Sequence, residues 1–448
     1  MKSKPGNRRR SLQKKHGLKT KGVTMYIESI TLENIRTFAA EKTMTFNHPD
    51  MKYGEGHELQ NPPMYKNVNL IFGENACGKT TVLEAIALAA LGPAVNESRI
   101  APRPLVRFEP TTRTPTSREK NKEGSIQANF ALQDNEILNL RDESPSKIGS
   151  IELKITQKGE LESFDFESSA QINWEKVYLS GNDSFFAVAY GATRRVDSSS
   201  DRIRSKGRSS KFARLARIES IVQEGYTLTS LPSWFSFYKK GTKRSKQVVD
   251  LINGALGRGH FVFKGKQVKD DFVFSLGGME IPFRSLSDGY KAFLGWVTDL
   301  IYHLDYACKR SNLRINEVSG IVLVDEVDLH LHPAWQMEVI GHLSKTFPRL
   351  QFIFTSHSPL IAGSVEWMNI KHLRLDNQHR TAIDPFEQAI HGLDVDQILV
   401  SDLFGLESTR APDKRDKLYK LRLEARKGSN EAAMNLISEM AKGLEGNK

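Results

Sequence analysis

Cysteine is nearly absent. Cys77 and Cys308 are the only two in 448 residues, which excludes a disulfide-stapled scaffold and any paired-cysteine zinc site. Such usage fits a reducing compartment, and a cytoplasmic protein is expected. No apolar run approaches the ~18 residues of a membrane span, so no membrane partner is expected. The opening "MKSKPGNRRRSLQKKHGLKTKGVT" lacks the apolar core of a secretory signal. Internal repeats are lacking too, and no heptad run is long enough for a coiled-coil arm. Acidic residues are missing from 1–24, which hold nine Lys and Arg, so little of the formal net charge of +11 belongs to the rest of the chain. Two readings of that basic tail stay open. It is a solvated, disordered segment ahead of the first strand pattern at Met25, or an arm for nucleic-acid phosphates or acidic partners.

What is present is read from periodicity. "MYIESITLENIRTF" alternates like a half-buried strand that turns at Asn34, and "VNLIF" is a short buried strand. "TTVLEAIALAAL" is a helix stopped by Gly92-Pro93. Residues 94–124 read as loop, and "SIQANFAL" and "GSIELKIT" as antiparallel strands. "KVYLSGNDSFFAVAYGATRR" is a mostly apolar strand region, and residues 212–258 look helical. Three short strand candidates follow, "HFVFKG", "DFVFSL" and "EIPFR", before a long helix opened by "LSDGYKAFLGWVTDLIYHL". "GIVLVDEVDLHLHP" and "LQFIFTSHSP" are buried strands with polar ends, and the last 60 or so residues read as helices. The expected division is a tail 1–24, a first lobe 25–195, an insertion 196–284, a second lobe 285–384 and a helical region 385–448.

Chemistry concentrates in four motifs. "GENACGKTT" runs through Gly73, Glu74, Asn75, Ala76, Cys77, Gly78, Lys79, Thr80 and Thr81, matching the phosphate-binding pattern GxxxxGK[ST] between a strand and a helix. Its glycines let backbone N–H groups close on a β-phosphate at a helix N-terminus. Lys79 then reaches the β/γ-oxygens of ATP, and Thr80 offers a hydroxyl to Mg²⁺. In "GIVLVDEVD" an apolar strand delivers Asp325 as a Mg²⁺ ligand and Glu326 to orient the attacking water. "LSDGYKA" sets Ser287 and Gly289 at a helix start, where a hydroxyl and free N–H groups can meet a phosphate or simply cap the helix. "TSHSP" puts His357 at a strand end. The pair His330 and His332 in "HLHP" invites a metal reading, but a helix entry at Pro333 is the preferred one.

This order of motifs resembles the ATP-binding-cassette ATPases within the AAA-type P-loop proteins. The resemblance implies an α/β P-loop fold with an antiparallel β subdomain, a helical insertion and a helical C-terminal region. It also implies that two chains sandwich two ATPs, with Ser287 and Gly289 contacting the γ-phosphate in trans, His357 contacting it in cis, and Asp328 in the loop at the dimer interface. Asp288 and Tyr290 depart from the usual signature, and "AYGATRR" stands about where a glutamine loop belongs but has no Gln.

The start "IESITLENIRTF" is similar to DNA-linked cassette ATPases of the recombination-mediator and chromosome-maintenance types, which implies Asn34 and Arg36 near the nucleotide. With "AYGATRR", "DEVDLHLHPAWQ", "TSHSPLIA" and "GLDVDQILVSDLFGLESTR", the chain resembles overcoming-lysogenization-defect type ATPases and relatives in anti-phage systems, such as the ATPase subunit of Septu. That resemblance implies regulation of a separate effector nuclease, since no fused nuclease pattern follows His357. Segments 212–258 and 385–430 are its expected docking surfaces. The rival readings are a DNA-repair clamp, motivated by the basic stretches 1–24 and 194–211, and a transporter-coupled cassette. DNA or RNA thus stays open as a partner.

Overall fold

A computed structural model of the chain describes residues 25–54, 61–96, 102–107, 122–132, 148–159, 161–168, 186–196, 210–223, 225–257, 261–268, 271–311 and 313–441. The basic tail 1–24 and most of the basic stretch 194–211 lie outside the described residues.

Apolar runs too short for helices become the middle of a six-stranded sheet. Its order is Thr381–Asp384, Ile370–Leu375, Val68–Gly73, Leu350–Thr355, Gly320–Val324, Ala187–Tyr190. Every neighbouring pair is parallel except the edge pair formed by Ile370–Leu375 and Thr381–Asp384. Parallel strands are covered on both faces, which is why "GIVLV" and "LQFIFT" are buried throughout. Shared direction also sends the carboxyl ends of five strands to one edge, where ligands of such sheets bind.

A second, antiparallel sheet has the order Lys42–Thr45, Met25–Glu33, Lys122–Leu132, Ile148–Lys158, Leu161–Ser168. Alternation in Lys122–Leu132 turns Ile126, Ala128, Phe130 and Leu132 inward. The helix Lys79–Leu91 lies between the sheets, in one apolar cluster with residues of both. It has no polar face because neither side meets water. Buried amides stitch the layers: the Gln351 side chain accepts from Ile27 N at 2.9 Å and donates to Ile27 O at 2.8 Å. Asn69 does the same for Asn47.

The segment expected to be helical over 212–258 is mixed. Helices Ser210–Val222, Leu231–Phe235 and Lys243–Leu256 are interrupted by Thr227–Leu228, which pairs in parallel with Arg195–Val196. The three following strands form as expected, Val262–Val268, Asp271–Leu276 and Met279–Pro282. Their inward Phe263, Phe272 and Phe274 join Trp234, Phe235 and Trp296 in a second apolar cluster. That cluster anchors the long helix Asp288–Ser311. Towards the C-terminus, Pro412–Arg426 and Asn430–Ala441 pair with each other, held by Lys417–Glu439 at 2.8 Å and Lys414–Glu439 at 3.6 Å. Among the described residues no helix is long and apolar enough to cross a membrane.

Candidate nucleotide site

The glycine loop leaves its strand at Gly73 and enters its helix at Lys79. Gly73 and Gly78 have φ of 152° and 96°, and added Cβ atoms would stand 2.1 Å from Leu373 O and 2.6 Å from the Phe38 ring. Only glycine fits both positions. Ala76 also takes a left-handed conformation, with φ of 64°, so successive amides can form the concave nest that suits an anion. The Lys79 ammonium is buried, and its Nζ donates to Gly73 O and Glu74 O at 2.8 Å each. Burial pulls Lys79 below the usual lysine range, an effect that Cys77, Asp325, Glu326 and Asp328 oppose.

The carboxylates meet the loop directly. Thr80 Oγ1 donates to Asp325 Oδ2 at 2.9 Å. Asp325 Oδ1 accepts from Thr355 Oγ1 at 2.5 Å, and the same hydroxyl accepts from Glu326 N at 2.7 Å. A hydroxyl beside a carboxylate is a set of hard oxygen donors, which fits Mg²⁺ bound by few protein ligands plus phosphate. Glu326 itself has φ of 48°. His357 is exposed two residues beyond Thr355. Partial desolvation of its ring beside the loop, and then the charge of Lys79, hold its imidazole below the ordinary histidine range, so its neutral form is favoured.

Arg36, at φ of 46°, points to the same helix start. Its guanidinium lies 2.6 Å from Glu84 Oε2 and 3.3 Å from Thr81 Oγ1. Burial raises the Glu84 carboxyl above its usual range in spite of Arg36. Glu74, Asn75 and Ala76 are exposed at the loop tip, whereas Cys77 is buried.

Ser287 and Gly289 open the helix Asp288–Ser311. Ser287 is exposed where the helix Asp288–Ser311 begins, and its carbonyl accepts from Lys291 N at 3.0 Å. A Cβ on Gly289 would lie 2.1 Å from His330 O, so the signature turn is pressed on the loop that follows the carboxylates. Tyr290 is packed 4.4 Å from the Phe261 ring and 4.6 Å from Trp335, centroid to centroid. An aromatic anchor here explains the departure from the polar residue usual at that position. His332 Nδ1 accepts from Ala334 N at 3.3 Å and Pro333 opens the helix Pro333–Gln336. That cap and the proline at the first turn make "HLHP" a helix entry.

Thr355 and Arg194 escaped the sequence reading as site residues. Arg194 Nη2 donates to Glu326 O at 2.6 Å. Thr355 is the first residue of "TSHSP" and Arg194 belongs to "AYGATRR", so position at or just past the end of a buried strand was the available signal. Glu84 is the third omission, hidden inside an apolar helix.

Comparison with known proteins adds context. Residues 68–363 match a family described as "AAA domain, putative AbiEii toxin, Type IV TA system". The chain is 25% identical over 342 residues to Septu protein PtuA of Bacillus mycoides (strain KBAB4), covering 76% of this chain and 41% of that protein. It is 29% identical over 206 residues to an Escherichia coli protein named "Retron Ec83 probable ATPase", covering 45% of this chain and 36% of the relative. It thus spans about two-fifths of the length of these curated relatives. Among solved structures, the SMC head domain from Thermotoga maritima aligns with a TM-score of 0.42 at 13% identity, over 81% of this chain and 99% of that one.

Proposed function

The chain belongs to this AAA-domain family, and from that premise we propose that it binds and hydrolyses ATP, that two copies close around the nucleotide, and that closure regulates a separate effector nuclease in anti-phage defence. The observation that carries the ATPase reading is one edge of one sheet. Lys79, Thr80, Asp325, Glu326 and His357 follow three adjacent parallel strands, whose ends are tied together by Thr80–Asp325, Thr355–Asp325 and Glu326–Thr355 bonds. Similarity to proteins named for Septu and retron systems supports the defence reading.

In this mechanism the loop amides of Gly73–Thr81 cradle the β-phosphate, and Lys79 exchanges the carbonyls of Gly73 and Glu74 for β/γ-oxygens. Thr80 and Asp325 would hold Mg²⁺, which neutralises charge on the phosphate oxygens when bound. Glu326 orients the attacking water, and neutral His357 offers a donor to the γ-phosphate. Phosphoryl transfer needs positioning more than covalent chemistry, so a rigid strand edge suffices. Arg36 stays beside the helix start through Glu84. In this reading Ser287 and Gly289 of a second copy complete the site, and Asp328 faces that interface.

The test is a pull-down of Glu326→Gln from its native host, with ATP and after nuclease treatment, read by mass spectrometry. A stoichiometric nuclease partner is expected. Recovery of repair proteins alone, and only with intact DNA, would replace this reading by a DNA clamp.

A further inference from the structure

Glu326 holds a backbone conformation that a residue with a side chain adopts at a cost, and the surroundings must enforce it. Two elements do so. From one side, Thr355 Oγ1 accepts the Glu326 N–H at 2.7 Å and Thr355 O accepts the Val327 N–H at 3.0 Å. From the other, Arg194 Nη2 donates to the Glu326 carbonyl at 2.6 Å. Arg194 follows the strand Ala187–Tyr190, the direct neighbour of the carboxylate strand, and Asp325 N donates to Tyr190 O at 2.8 Å. The two strand ends are thereby fixed relative to each other.

The chemistry of this contact is specific. Arg194 bonds to a main-chain oxygen rather than to a carboxylate, so it acts on the turn and leaves the Glu326 side chain free. Burial draws its guanidinium down to about 10, against the carboxylates of Asp325, Glu326 and Asp328, so it stays a cation at neutral pH. Its Nη1 is buried with no hydrogen-bond partner among the described residues, which leaves one donor of the fork in reserve beside the carboxylates.

Resting on the ATPase reading, we infer that Arg194 is a positioning residue for hydrolysis: it locks the left-handed turn that aims the Glu326 carboxylate at the attacking water. Its hydrogen bond goes to the turn and not to the loop or its lysine, so nucleotide binding is expected to be independent of it. Removing it lets Glu326 swing while Lys79, Thr80 and Asp325 keep their places.

The experiment compares full-length wild type, Arg194→Ala, Arg194→Lys and Glu326→Gln in steady-state ATP turnover and in affinity for a fluorescent ATP analogue. Arg194→Ala is expected to lower kcat about 100-fold with KM and affinity unchanged, the pattern of a misplaced catalytic group. Millimolar guanidinium should restore part of the kcat of Arg194→Ala and none of that of Glu326→Gln. Should Arg194→Ala not fold, Arg194→Lys carries the test, with kcat lowered and affinity retained. A wild-type kcat in the variant, or parallel loss of affinity and turnover, overturns the inference and leaves the ATPase reading standing. A wild type that binds no ATP removes both.

Discussion

A single residue can serve the resting protein and a ligand in turn, and Lys79 has that part in the proposed site. Its ammonium is held by two loop carbonyls, so in the proposed site ATP would exchange hydrogen bonds instead of creating a buried cation from nothing. Lys79→Ala should therefore abolish ATP binding, measured by calorimetry. The same change removes a positive neighbour of His357, so the imidazole pKa should rise towards 6.5, seen by histidine NMR titration. Arg36 offers a second test, because Glu84 is buried and its ion pair is close. Arg36→Ala should cost about 3 kcal/mol at neutral pH. Burial already raises the Glu84 pKa, so the carboxyl binds its proton more readily folded than unfolded. The loss should therefore shrink as pH falls and Glu84 becomes neutral, checked by denaturant unfolding at two pH values. The glycine loop and the carboxylates were legible in the sequence because phosphate chemistry demands contiguous patterns. Thr355, Arg194 and Glu84 were not, since each acts through a partner far away in the chain.

At the scale of elements, the helix Lys79–Leu91 is the joint between two sheets. Ile86 is fully buried within it, so Ile86→Ala should cost about 3 kcal/mol, measured by urea unfolding. The strands that bury both faces were readable as apolar runs, as were the alternating strands of the second sheet. Leu161–Ser168 was not anticipated, because it is an edge strand whose residues stay largely in contact with water. Ile370–Leu375 carries Lys371, His372 and Arg374, which masks a parallel strand inside a charged stretch. Two-residue strands such as Thr227–Leu228 hold no periodic signal at all. They form only because Arg195–Val196 is brought alongside.

For the whole molecule, the proposed site takes Ser287 and Gly289 from a second copy. Glu326→Gln should bind ATP without turning it over and run as a dimer or larger assembly with ATP, and smaller without it, by light scattering after gel filtration. Equal mass in both conditions would sink the sandwich. The order of the central sheet also has a consequence for synthesis. Val68–Gly73 is flanked by Leu350–Thr355 and Ile370–Leu375, and Ile27 bonds to Gln351, 324 positions later. A growing chain that has emerged only to the glycine loop has neither neighbouring strand to lay beside it. Contacts of such sequence separation fold slowly and leave apolar surface waiting, so the nascent protein needs shelter until its later strands leave the ribosome. An unfinished copy therefore lacks the sheet edge on which the proposed nucleotide site is built.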